Sequence, residues 1–97
     1  MAGRGSVTIA ENSDADRYEI SDDGVLAGFS TYRDRNGARV VLHTEVSPEF
    51  EGRGLAGELA RFVLDDIRAR GLLVVPRCPY VARYIREHPE YADLVTR

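Results

Sequence analysis

The chain has 97 residues and a formal charge of −3, from 16 acidic and 13 basic side chains. With 43% hydrophobic and 8% aromatic residues it reads as one ordinary globular domain, near the lower end of what holds a core unaided. No basic surplus marks a nucleic-acid footprint, the opening "MAGRGSV" has no apolar leader, and no apolar run nears the ~20 residues of a membrane span. No nucleic-acid or membrane partner is therefore expected, and the one cysteine, Cys78, suits a reducing cytoplasm.

Residues 1–6 are small and polar and read as a flexible tail, leaving 7–97 as the domain. "VTIAEN" and "DRYEIS" alternate as strands do, and "SDDG" is a turn signal before the strand-like "VLAGFSTYR". Asn36-Gly37 then predicts a hairpin into "ARVVLHTEV". From Gly54 the residues Leu55, Leu59, Phe62, Val63 and Ile67 recur at helical spacing, with Gly71 as the stop. "LLVV" at 72–75 lacks polar alternation and predicts a strand covered on both faces. Pro79 opens a short helix whose face carries Val81, Tyr84, Ile85 and His88, and Pro89 interrupts it. The expected fold is α+β: an antiparallel β-meander, a βαβ unit and short C-terminal helices.

Between strand and long helix lies "SPEFEGRGLAGE". Gly52, Gly54 and Gly57 let main chain approach a ligand closely, and the first helix amides lack intrahelical partners. With the positive end of the helix dipole behind them and Arg53 alongside, the loop suits a phosphate or pyrophosphate. A tight strand-to-helix connection also needs glycines, so the loop alone fits both readings. No Gly-Lys-Ser/Thr follows, and a meander precedes it, so neither a P-loop nor a dinucleotide fingerprint is present.

The run "VSPEFEGRGLA" resembles the acyl-CoA signature of the GNAT superfamily of N-acetyltransferases. In that signature a strand ends in Val-x-Pro, followed by Arg or Gln, two residues, Gly, one residue, and Gly or Ala. Val46, Pro48, Gly54 and Ala56 match; Glu51 stands where Arg or Gln is usual. With "CPYVARYIREHPEY" the resemblance spans residues 24–95 and points to a small single-domain branch, a minimal GNAT-like fold. It implies acetyl-CoA or CoA as cosubstrate, lying along the gap between parallel strands. Main chain of Glu45 and Val46 would meet the pantetheine arm, and amides of Gly52, Arg53, Gly54, Leu55, Ala56 and Gly57 the pyrophosphate. Val46 suits an ordinary core position as well. Many relatives in that superfamily carry a helix Tyr that protonates the departing thiolate; Tyr84 is the candidate, although it also fits a core position. The acceptor would be an unidentified amine, and the expected assembly a monomer or weak dimer.

Cys78 falls at a helix start, where the dipole and Arg77 favour a thiolate, although a lone cysteine is also a common buried hydrophobe. His43 is expected on one pleat face with Val41 and Glu45, within reach of Cys78 as a base. An acetyl-Cys78 intermediate is one expected route. His88, before Pro89, is expected to support the helix end. A non-catalytic CoA- or acyl-CoA-binding module is the rival function, because no residues are left for helices enclosing an acceptor. A purely structural domain leaves the glycine loop unexplained.

Overall fold

The computed structural model describes residues 6–95, so residues 1–5 of the expected tail lie outside it. Ser6 exchanges main-chain hydrogen bonds with the Asp23 side chain and amide. Five strands follow in spatial order equal to chain order: β1 (Val7–Asn12), β2 (Arg17–Asp22), β3 (Val25–Arg35), β4 (Ala38–Val46) and β5 (Leu73–Pro76). The first four pair antiparallel and β4 pairs β5 in parallel. The β2–β3 and β3–β4 turns place Asp23-Gly24 and Asn36-Gly37 at positive φ, the geometry whose twist matches a hairpin.

Helix α1 (Leu55–Ala69) crosses from β4 to β5, and α2 (Pro79–Glu87) follows, with a 3₁₀ segment at Pro89–Leu94. Leu55, Leu59, Val63 and Ile67 recur every fourth residue and all are buried, against Tyr18, Ile20, Val41 and Val74 of the sheet. Full burial of such a side chain contributes roughly 1.5–3 kcal/mol. Both helices lie on the same face of the sheet, so β5 is not covered on both sides as expected. Val74 is fully buried but its neighbour Leu73 is 45% exposed.

Two irregularities position the site. Thr31 pairs with His43 while the next residue, Tyr32, pairs with Val41, so Leu42 is an extra residue in β4. Such a bulge reverses the in-out alternation beyond it. The second is Gly28, where a Cβ would lie 2.5 Å from the Glu45 carbonyl oxygen; only glycine allows β3 this close to the end of β4.

At the opposite end of β4, buried Arg39 holds Asp34 through two hydrogen bonds of 2.7 and 2.8 Å and donates to Tyr18 Oη at 2.7 Å. Tyr18 in turn donates to Asp66 of α1, and Tyr32 to Glu11. The Arg39 guanidinium also stacks 4.0 Å from the Tyr32 ring centroid. This polar cluster clamps four strands to α1 well away from the glycine loop.

Candidate active site

The last parallel rung joins Val41 to Pro76, and the Cys78 amide donates to the Val41 carbonyl. Beyond it, residues 42–46 continue with β3 alone as partner among the described residues, and the parallel pair opens. The opening is a cleft of about 410 Å³. Its strand wall is Thr44, Glu45 and Val46, its loop wall Phe50, Glu51, Gly52 and Gly54. The first turn of α1 (Leu55, Ala56, Gly57) and Tyr80 close it.

Each glycine of the loop has its own reason. Gly52 and Gly54 sit at φ +82° and +77°, which a side chain makes strained, although nothing lies within 4 Å of an added Cβ. Gly54 caps α1 without a side-chain bond, and Glu58 N–H is the first to close onto its carbonyl. The three preceding amides are thus left to an outside acceptor, at the positive end of the dipole. Gly57 is different. Its φ is ordinary, and a Cβ would meet Tyr80 Oη at 3.6 Å and Tyr84 Cε2 at 4.0 Å, normal contacts. No contact among the described residues requires glycine there, while glycine in a helix costs up to about 1 kcal/mol relative to alanine. The missing side chain leaves room on the cleft floor.

Glu45, Val46, Gly52, Gly54, Leu55, Ala56 and Gly57 all line the cleft, but other expected residues do not. Arg53 turns away from it: its Nη2 lies 2.6 Å from Asp22 Oδ2, and its guanidinium sits beside the Phe50 ring. The nearby carboxylate at the end of β2 holds the charge expected at the anion site. Tyr84 lies one helical turn too far along. It stacks on His88, with ring centroids 3.9 Å apart and planes 13° from parallel, and burial raises the pKa of its phenol. Tyr80, in the first turn of α2, faces the cleft instead. His88 Nδ1–H donates to the Tyr84 carbonyl at 2.8 Å, supporting the helix end as expected.

The expected imidazole–thiol pair does not form. Because of the Leu42 bulge, His43 does not share the inward face of Val41; its side chain is 59% exposed and its Nε2 lies 2.9 Å from Glu45 Oε1. Thr44 takes the inward position. Cys78, only 2% exposed, donates to Thr44 Oγ1 at 3.5 Å, and Thr44 Oγ1 is 2.9 Å from buried Ser30 Oγ. Sequence reasoning missed Thr44 and Tyr80. The signal for Tyr80 was legible: Pro79 fixes the helix start, so residue 80 falls in the turn nearest the strand ends. Thr44 could not be found without the bulge.

The family model described as GCN5-related N-acetyl-transferase matches residues 17–94. The chain belongs to that family. This GCN5-related N-acetyltransferase domain is 38% identical over 55 residues to Protein NATD1 of Gallus gallus, covering 55% of this chain and 50% of that protein. The figures for Protein NATD1 of Homo sapiens are 38% over 55 residues, 55% and 49%. The chain spans about half the length of the curated relatives it matches. A solution structure from Staphylococcus aureus described as GCN5-like shares the fold at TM-score 0.71 and 24% identity, over 92% of this chain and 87% of that one. A ribosomal-protein-alanine N-acetyltransferase from Brucella melitensis does so at TM-score 0.59 and 23% identity, over 84% and 63%. The α+β fold of this chain is therefore shared with both solved structures. No helix among the described residues is long and apolar enough to cross a membrane.

Proposed function

We propose that the chain binds acetyl-CoA in the cleft and transfers the acetyl group to an amine. Gly57 carries the reading: a glycine that costs helix stability, that packing does not require, and that floors a cleft beside unpaired helix amides. The amides of residues 52–57 hold the pyrophosphate, and main chain of Glu45 and Val46 meets the pantetheine arm. An amine arriving at the cleft mouth attacks the thioester carbonyl. Its proton passes to the exposed His43–Glu45 pair, the C–S bond breaks, and Tyr80 protonates the departing sulfur. Tyr80 thereby takes the role expected of Tyr84. A reducing cytoplasm suits the single free thiol.

Two observations favour alternatives. Glu51 lines the cleft where the family signature has Arg or Gln, and Arg53 is held by Asp22; both suit a module that binds CoA without catalysis. Thr44 lines the cleft and touches Cys78, which suits acetyl passing through that thiol.

Calorimetric titration of CoA into wild type and Gly57→Asp tests the binding. Aspartate in a first helical turn favours the fold but sets a carboxylate where the pyrophosphate is to lie. Wild type should bind and the variant should lose at least about tenfold in affinity, roughly 1.4 kcal/mol. Equal affinity would overturn the site. An amine and peptide panel assayed for CoA release then separates enzyme from module, because a module releases none above background.

A further inference from the structure

Thr44 stands where β4 and β5 part, just past the last parallel rung between Val41 and Pro76. The Leu42 bulge turns its side chain inward, and there it lines the cleft. Two buried groups converge on its oxygen. Cys78 Sγ donates to Thr44 Oγ1 at 3.5 Å, and Ser30 Oγ lies 2.9 Å from the same atom. The direction of the Ser30 bond follows from counting protons. Ser30 Oγ has no other partner among the described residues, so accepting from Thr44 would leave its own proton buried and unpaired. Donating uses that proton. Thr44 Oγ1 then accepts from Ser30 and Cys78 together, which fills both of its lone pairs. Its own proton has no acceptor left among the described residues and is free for the cleft.

We propose that Thr44 is a catalytic residue for acetyl transfer, its hydroxyl donating a hydrogen bond to the thioester carbonyl oxygen. The inference rests on the proposed function and deepens it. With pyrophosphate at residues 52–57 and the pantetheine arm along Val46 and Glu45, the arm runs down β4 and its reactive end falls at Thr44. As the amine nitrogen attacks the carbonyl carbon, the Thr44 O–H holds the electron pair gathering on the oxygen and keeps its own proton. That pair returns when the C–S bond breaks. Tyr80 supplies the sulfur with its proton, and the amine proton goes to the His43–Glu45 pair. Hydrogen bonds received by the Thr44 oxygen polarise its O–H and strengthen what it donates. Ser30 and Cys78 are therefore positioning residues that act through Thr44, and the thiol takes part without bonding to the acetyl group.

The test is infrared difference spectroscopy of the full chain with acetyl-CoA isotope-labelled at the thioester carbonyl. It compares wild type with Thr44→Ser, Thr44→Val, Ser30→Ala and the double variant Ser30→Ala/Thr44→Val. A carbonyl that accepts a hydrogen bond vibrates at lower frequency, so the readout needs neither an amine nor turnover. Wild type and Thr44→Ser should lower the band relative to free acetyl-CoA, and Thr44→Val should not. Ser30→Ala should give a smaller shift than wild type. A larger one means that Thr44 had been donating to Ser30, and overturns the assignment. Thr44→Val strands two buried donors and can fail to fold; the double variant removes the stronger of them and should also leave the band unshifted. In turnover, Thr44→Val should lower kcat by about 10²-fold with KM little changed. Adding Ser30→Ala to it should cost nothing more, because Ser30 acts only through Thr44. An unshifted band in wild type, or a shifted one in either valine variant, overturns the role of Thr44 and leaves the cleft reading intact. A wild type that binds acetyl-CoA but releases CoA to no amine overturns the catalytic role whatever its band. Failure of wild type to bind acetyl-CoA overturns both.

Discussion

Cys78 Sγ lies 3.5 Å from Thr44 Oγ1, so the only thiol of the chain faces a neutral hydroxyl and not the imidazole of His43. A hydroxyl at neutral pH does not accept a thiol proton, which makes direct transfer the better account of acetyl movement. Incubation with acetyl-CoA should then leave no hydroxylamine-labile mass on the protein. The absence of lysine makes the spectrum simple, with the terminal amine as the main competing group. A labile adduct lost in Cys78→Ala would establish the covalent route instead. At 2% exposure the thiol should also react with aromatic disulfides only as fast as the local structure opens.

Gly57→Ala should separate stability from function. The added methyl fits against Tyr80 and Tyr84 and improves helix propensity, so thermal or urea unfolding should show a gain of roughly 0.4–1 kcal/mol. CoA affinity should fall in the same protein. A variant that is less stable, or that binds CoA equally well, would show that glycine serves packing after all.

Gly28→Ala should do harm on both counts. Its Cβ would stand 2.5 Å from the Glu45 carbonyl oxygen and 3.1 Å from Val46, main-chain atoms that cannot swing aside. A loss of about 1–3 kcal/mol is expected from the forced separation of β3 and β4. Because Glu45 and Val46 form the strand wall of the cleft, CoA binding should weaken beyond what the lost folded fraction explains.

Tyr80→Phe should lower kcat by about 10²-fold or more, the usual scale for a proton donor, with little change in KM. Tyr84→Phe keeps the stack on His88 and should leave kcat unchanged. The reverse pattern would return the role to Tyr84.

Replacing Arg39 by leucine leaves Asp34 without its cation and Tyr18 Oη without its donor, while Arg70 still pairs with Glu11 and Asp66, and should cost about 1–3 kcal/mol. CoA affinity should be unaffected. The same cluster sets a pH dependence. Hydrogen bonds from Arg39 hold the Asp34 carboxyl below its ordinary 3.8, so the unfolded chain binds that proton more readily. Stability from this group is present above that value and is lost as pH falls below it. At the alkaline end, burial first and the bond to Glu11 second push Tyr32 up to about 12. Its contribution is full below the ordinary value of about 10 and disappears as pH rises through about 12. Urea midpoints across both ranges, read beside tyrosinate absorbance, should show both declines, and Arg39→Leu should flatten the acid limb.

The local chemistry of the chain determined its elements and the nature of its ligand loop. Asn36-Gly37 can hardly avoid a hairpin, the fourfold spacing from Leu55 to Ile67 makes one apolar stripe, and Pro79 sets a helix start. Gly52 and Gly54 likewise declare a left-handed backbone through residue type. These are properties of a residue and its near neighbours, so they are readable in order along the chain. Which side chains meet was decided by tertiary structure. The extra residue at Leu42 exists only as a mismatch between β3 and β4, and it exchanges His43 for Thr44 beside Cys78. Arg53 is drawn from the cleft by Asp22, 31 positions earlier, because the end of β2 comes to lie beside the loop. Register and long-range charge pairing depend on two segments at once, and neither segment carries them alone.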